Sequence, residues 1–315
     1  MLLPPQPSKP VAVDIGSARA LQEVFDSFER KPLTMRSLEK LLPNEASCSE
    51  FLLALRTRSL PLCPSSKVHH NWVAETRWRY RCRRCCATVS PKANCLFHKT
   101  RVPVAYWFSA LLLSLFSTTG VSSHLVSRHL AIELASAFRI LRHWRKQIAS
   151  LANDEKLGGP GRVVEIDETF ITQTRGSLAR DPVVFGIKEG ARVWTTVVAN
   201  RERSTLWPII DKMVAKGTTI HSDQWPAYQG LATRGYHHLW VNHSKGVFSS
   251  QGVSTTGIDA YWSYLKRALR TVFRSILPEN LPDYLKDAEV RFNYNHDPRR
   301  LFNDVLLSVP QARLT

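Results

Sequence analysis

Three aspartates, Asp167, Asp223 and Asp259, have the residue type and the settings to do chemistry together. Asp167 falls in the middle of VVEIDETF, among residues that read as a core strand. A carboxylate there is costly unless it is paired or holds a cation. Asp223 ends the short strand TTIHSD, where a parallel strand opens into the crevice that α/β sheets use for ligands. Asp259 begins a helix further on. Three convergent carboxylates suit hard ions such as Mg²⁺ or Mn²⁺, which take oxygen ligands and keep positions open for phosphate. Two such ions about 4 Å apart activate an attacking oxygen and stabilise a leaving one. A structural alternative stands beside this for Asp223 and Asp259, as acids favoured at helix N-termini. A mid-strand acid has no such explanation.

The elements that would position these acids are legible from pattern. VVEIDETFI, PVVFGIKE and RVWTTVVAN are closely spaced β-branched runs, the signature of an antiparallel meander. STLWPIIDKMVA reads as a helix, TTIHSD as a strand, WPAYQGLA as a short helix and HHLWVNHS as a strand. GIDAYWSYLKRALRTVF and LPDYLKDAEVRFNYN read as two closing helices. That order fits an α/β fold with a ribonuclease-H-like mixed sheet, three antiparallel strands extended by two parallel ones. The linker LANDEKLGGPG at 151–161 marks a boundary upstream. The expected organisation is a tail with one short helix at 1–32, a helical and cysteine-bearing segment at 33–99, a helix-turn-helix region at 100–157 and the α/β domain at 158–315. Within the cysteine segment TRWRYRC alternates like a strand.

The chain has 315 residues and a formal net charge of +17, with a pI near 9.9. Such a surplus repels itself unless an anionic partner neutralises it, and nucleic acid is the commonest such partner. Val104–Phe116 is the longest apolar stretch and is too short to cross a bilayer, so no membrane span is expected. The N-terminus lacks the pattern of a signal peptide. Six cysteines are too few for a disulfide scaffold. Cys63, Cys82, Cys85 and Cys86 lie close together, which points to metal binding in a reducing compartment. GVSSHLVSRHLAIELASAFRILRHWRKQ reads as a helix-turn-helix whose second helix presents Arg139, Arg142, His143 and Lys146, or as an ordinary hairpin with a solvated basic face. Trp262, Lys266 and Arg270 share the helical face of Asp259, with Arg267 beside them. These bases would hold a phosphate backbone, or snorkel while Trp262 and Leu265 pack the core. His238 and His243 flank the last strand, as aids to chemistry or as hydrogen-bonded structural residues.

VVEIDETF, HSDQWPAY, HLWVNHS and STTGIDAYWSYLKRAL resemble the catalytic blocks of the Merlin-type (ISXO-like) bacterial insertion-sequence transposases. SLEKLLPNEASCSEFLLALR, LCPSS, RYRCRRC and the helix-turn-helix block extend the likeness over roughly residues 33 to 297. The resemblance implies a ribonuclease-H-like domain with a DDE triad, in which Asp167 and Asp223 are the first two acids. Asp259 stands where the family usually has glutamate, and Thr256 where it has asparagine. It also implies a zinc ribbon with two CxxC pairs. Here Cys82 and Cys85 form one pair, while Cys63-Pro64-Ser65-Ser66 keeps a single thiol, so the ribbon is degenerate: either structural Zn²⁺ takes a fourth ligand from His69, His70 or Cys86, or the ribbon holds together without metal.

The implied activity is that of a DNA transposase using two Mg²⁺ or Mn²⁺ ions. Hydrolysis at an element end frees a 3′-OH, which attacks target DNA in line. The implied partner is double-stranded DNA, both element ends and target, bound by a homodimer or a larger synaptic assembly in a bacterial cytoplasm, at the nucleoid. Two rival readings are a domesticated transposase that binds DNA without cutting it, and a ribonuclease-H-like nuclease acting on another structure such as a branched junction.

Overall fold

The structure is a computed structural model in which residues 12–14, 34–57, 63, 71–171, 181–241, 249–250, 253–272, 276–294 and 297–310 are described. They fall into two compact units.

The first unit comprises Met1–Phe116, Ser123–Gln147 and Asp297–Thr315. Thr34 opens it with a reciprocal cap, its hydroxyl accepting from the Ser37 N–H while the Ser37 hydroxyl accepts from the Thr34 N–H. This satisfies donors that helix α1 (Met35–Leu41) would otherwise leave unpaired. Helix α2 (Glu45–Thr57) buries Phe51, Leu52, Leu53 and Leu55. Arg56 on the same helix is fully buried, and its guanidinium donates to the carbonyls of Pro91, Ala93 and Pro310 at 2.5–2.7 Å. A buried cation is tolerable only when its donors are met in this way.

Residues 12–14, expected to be tail, instead form strand β1 (Ala12–Asp14), which pairs antiparallel with β2 (Asn71–Thr76). The run read as one alternating strand through TRWRYRC is a hairpin. Arg77 and Trp78 make its turn, and only β3 (Arg79–Cys82) alternates exposed and buried before pairing with β4 (Thr88–Val89). The apolar stretch is helix α3 (Val104–Phe116), with its expected bounds. Helices α4 (Ser123–Leu130) and α5 (Leu134–Ala149) follow across a tight break in which Ala131 takes a φ of 51°. Trp144 on α5 donates from its indole to the Trp107 carbonyl on α3 at 2.8 Å, and Phe97 packs edge-on against both rings. The final helix, Pro298–Leu307, was not expected from pattern.

The second unit comprises Ser117–Ser122 and Ile148–His296. Its sheet, among the described residues, has five strands. Strands β5 (Val163–Phe170), β6 (Val183–Glu189) and β7 (Arg192–Val198) run antiparallel, and β8 (Thr219–Asp223) and β9 (His237–Val241) extend β5 in parallel. The expected mixed α/β sheet is therefore present. On one face Val164, Ile166, Phe185 and Ile187 pack with Leu206, Ile210 and Met213 of α6 (Arg203–Met213). A short ribbon, β10 (Ser249–Ser250) with β11 (Val253–Ser254), leads to α7 (Thr256–Val272). On the other face Val184 and Val193 pack with Ile258, Tyr261 and Leu265 of α7 and with Leu285 and Ala288 of α8 (Leu281–Asn293). Each such buried Val, Ile, Leu, Phe or Met side chain contributes about 1.5–3 kcal/mol.

WPAYQGLA is not an α-helix. It forms two 3₁₀ turns, Pro226–Tyr228 and Leu231–Arg234, because Gly230 between them sits at φ 91°, outside helical space. Among the described residues no helix is long and apolar enough to cross a membrane.

Candidate active site

Successive residues of β5 face opposite sides of the sheet. Val164, Ile166 and Glu168 therefore look toward α6, while Glu165, Asp167 and Thr169 look toward α7. Asp167 lies opposite Gly186 in the antiparallel register. A Cβ at Gly186 would stand 2.6 Å from the Trp262 ring, so the bare backbone gives the indole room to lie against β6. From there Trp262 Nε1 donates to Asp167 Oδ2 at 2.8 Å. Burial, then the neighbouring Glu168 carboxylate, push the Asp167 carboxyl up to about 8; the Trp262 hydrogen bond opposes this and nearby Asp223 adds to it. Asp167 thus holds its proton at neutral pH.

Helix α7 is fastened to β5 one step earlier as well. Glu165 Oε2 accepts from the Ile258 N–H at 2.7 Å, a carboxylate at a helix N-terminus. Gly257 permits it, since a Cβ there would lie 2.6 Å from Glu165 Oε1. The ring of His221, on β8, lies 3.2 Å from the Ser254 carbonyl and 3.3 Å from its N–H, so β11 is placed as it enters α7. Asp259 then sits in the first turn of α7, half-buried, its N–H bonded to the Thr255 carbonyl at 3.1 Å.

Asp223 closes β8, and its Oδ1 accepts from the Trp225 N–H at 3.0 Å. Asp167 and Asp223 are close enough to repel each other electrostatically. The three aspartates do not form a group whose oxygens all lie within 4.8 Å of one another. The oxygen-only donor set, with a buried acid crowded by other carboxylates, fits a hard divalent cation.

Glu168, which spacing did not single out, points to the opposite face from Asp167. It accepts from the Tyr228 hydroxyl and pairs with Arg201 at 3.4 Å. Arg201 stacks on Trp225 at 4.0 Å and on Phe170 at 5.2 Å. Burial holds Glu168 above the usual carboxylate range, the Tyr228 bond working against it. Its signal in the sequence was adjacency, since two consecutive acids in a core strand each need a partner, one per face. His238 lies with Nε2 2.8 Å from the Ser222 hydroxyl, and burial lowers its pKa. His243 falls outside the described residues.

Among the basic candidates, Lys266 is half-buried while Arg267 and Arg270 are exposed on α7. In the first unit, Arg139, Arg142 and Lys146 are exposed on α5, whose opposite face buries Ala137, Ile140, Leu141 and Trp144. Partial burial, then Arg139, Lys146 and Arg142, push the His143 imidazole down.

The thiols of Cys63, Cys82 and Cys85 lie within 4.8 Å of one another, a fit to three corners of a tetrahedral zinc site. Cys82 ends β3, and the Cys86 N–H donates back to the Cys82 carbonyl at 3.0 Å, turning the chain so that Cys85 reaches the cluster. Cys86 itself does not join it. At φ 61° its sulfur is directed to Arg81 Nη1, 3.7 Å away. His69 and His70 lie outside the described residues.

Residues 156–293 match the ISXO2-like transposase domain. Over 102 residues the chain is 34% identical to an uncharacterized transposase-like protein of Haemophilus influenzae, an alignment covering 32% of this chain and 81% of that protein. A chain in the cryo-EM structure of a simian T-cell lymphotropic virus intasome bound to the PP2A regulatory subunit B56 gamma aligns over 56% of this chain and 65% of its own length, at 13% identity and a TM-score of 0.29. That last likeness is too slight to bear on the fold or the site. The matched domain spans the sheet that carries Asp167, and on that match together with the Haemophilus relative the chain belongs to the ISXO2-like transposase family.

Proposed function

We propose that the chain is a DNA transposase whose second unit is a ribonuclease-H-like catalytic domain using Asp167, Asp223 and Asp259. The observation that carries this is Asp167, a buried acid at mid-strand, crowded by Asp223 and bonded to Trp262 on the helix that bears Asp259. The three carboxylates would hold Mg²⁺ or Mn²⁺. When bound, such ions supply the positive charge that activates the attacking oxygen and stabilises the leaving one at phosphorus. The protein's own part is positioning. Trp262 fixes the Asp167 carboxyl, the Trp225 N–H fixes that of Asp223, and the Glu165 contact sets the height of α7 and so of Asp259.

The exposed Arg139, Arg142 and Lys146 on α5 would contact element-end DNA as a helix-turn-helix does, and Arg267 and Arg270 the strand being cut. Lys266 would steady the same strand. The three-thiol cluster would take structural zinc, completed from outside the described residues. Joining two ends at once implies a dimer or larger assembly on DNA.

The test is cleavage and strand transfer on DNA ending in the element's terminal repeats, with Mg²⁺ or Mn²⁺. Asp167→Asn and Asp223→Asn should each abolish product. A second reading, a DNA-binding protein that does not cut, draws on the separation of the three carboxylates. Absence of cleavage by the wild type, with no gain from Asp259→Glu, would establish it.

A further inference from the structure

Beside Asp223 lies a cavity of about 300 Å³ whose walls include Gln224, Trp225, Ala232, His238 and Trp240. We propose that this cavity receives a single nucleobase, unstacked from the DNA strand whose phosphate is handled at Asp223. The proposal rests on the phosphodiester reading for the location of the strand, and on the cavity itself for the base.

Size, wall chemistry and rigidity favour a base over another ligand. The volume stands at the small end of pockets that take small molecules, enough for one planar ring system and far too little for a duplex. The walls are aromatic, and every base has a π-face that stacks on such rings whatever its sequence. They are also held in place before any ligand arrives. Trp225 donates from Nε1 to the Arg201 carbonyl at 3.0 Å and carries the Arg201 guanidinium at 4.0 Å from its ring. His238 is fixed by the Ser222 hydroxyl, and its ring centre lies 6.0 Å from that of Trp240. Trp240 is 55% exposed, so its ring is open to a ligand. A base seated against it would cover that ring. The Gln224 amide offers both a donor and an acceptor at the rim, able to meet the edge of any base. Unstacking is easiest at a nick or strand end, which is what cutting at Asp223 would create.

The test uses the full-length protein in Mg²⁺ with two fluorescent probes, a twelve-nucleotide oligo-dT strand and a blunt duplex. Trp240→Ala removes the stacking ring. Ala232→Phe keeps every aromatic wall and fills the cavity with added volume. Both should weaken oligo-dT binding by about 5- to 100-fold, the range of one lost base stack, and both should leave blunt-duplex binding within about twofold of wild type. Unchanged oligo-dT binding in either variant would overturn the proposal, and circular dichroism confirms that each variant is folded. Cleavage of element-end DNA is scored separately. Wild-type protein that shows the base effect but cuts nothing would remove the transposase reading and leave the base site. Protein that cuts, with both variants binding oligo-dT as wild type does, would remove the base site alone.

Discussion

Replacing Asp167 by asparagine should make the metal-free protein more stable, against the usual expectation for a residue in the core of a site. The folded protein lifts this carboxyl from 3.8 to about 8, chiefly by burial. Below 3.8 both folded and unfolded chains carry the proton; between 3.8 and about 8 only the folded chain does. The contribution of Asp167 to stability is therefore fully present at low pH, falls as pH rises through that window and is gone above it. Each factor of ten in proton affinity is worth about 1.4 kcal/mol, so at pH 7 keeping the proton costs the folded state about 4 kcal/mol. Asp167→Asn removes that cost and keeps an oxygen to accept from Trp262. Its new NH₂ group needs a partner, which takes back about 1–2 kcal/mol. The net expectation is a gain of about 2–3 kcal/mol at pH 7, or roughly 4–12 °C in Tm for a unit of this size. The assay is thermal and urea unfolding of wild type and variant in EDTA between pH 5 and 8. The difference between the two should widen steadily with pH. Adding Mg²⁺ should stabilise the wild type and not the variant. A variant equal to or weaker than wild type at pH 7, with an unchanged pH slope, would refute the account of Asp167 as an uncompensated buried acid.

Other perturbations test the surrounding geometry. Gly186→Ala should push the Trp262 indole off β6, because the added Cβ meets the ring at 2.6 Å; about 1–3 kcal/mol of stability should be lost by urea unfolding, with DNA cleavage falling too. Trp262→Phe keeps much of the packing and deletes the hydrogen bond that holds Asp167 down, so the acid limb of the pH–cleavage profile should move to higher pH. Cys82→Ser should abolish zinc binding, measured as metal per chain by elemental analysis, where the wild type should carry one ion. Arg142→Ala should weaken binding of element-end DNA and lower the salt dependence of that binding by about one counterion.

Much of the second unit was legible because its signals are local. β-branched runs close in sequence pair as neighbours, and the amphipathic period of α7 places Tyr261 and Leu265 in the core. Asp167 stood out because an acid amid core strand residues needs a reason. Its partner did not stand out. The expectation that Trp262 packs the core holds, but its bond to Asp167 depends on space opened by Gly186, a residue on another strand that helical period cannot reveal. Glu168 carried a signal in its adjacency to Asp167, but its partners Tyr228 and Arg201 lie far off in sequence on the opposite face of the sheet. Cys86 was a reasonable zinc candidate by spacing, and a single left-handed backbone angle turns it to Arg81 instead. Strand β1 is short, and what defines it is pairing with a distant segment, for which no local pattern exists. The final helix does carry a local signal, an Asp297 cap ahead of Pro298 with Leu301, Phe302, Val305 and Leu306 on one buried face, and that signal lies beyond the two closing helices expected from pattern.

Helix α7 meets β5 at two points, through Ile258 to Glu165 and through Trp262 to Asp167, and Asp259 lies between them. Its height above the sheet is therefore set by contacts to the strand that carries the first acid, and the two acids cannot drift independently. That matters because aspartate is one methylene shorter than the glutamate usual in the resembling family, and displacement of about 1 Å in a catalytic group can cost on the order of a hundredfold in rate. The same strand carries the charge imbalance. Asp167 is pushed toward its neutral form by burial and by Glu168, with Asp223 adding to the effect. A divalent cation entering between the acids would reverse each of these pressures at once, releasing a proton as it binds.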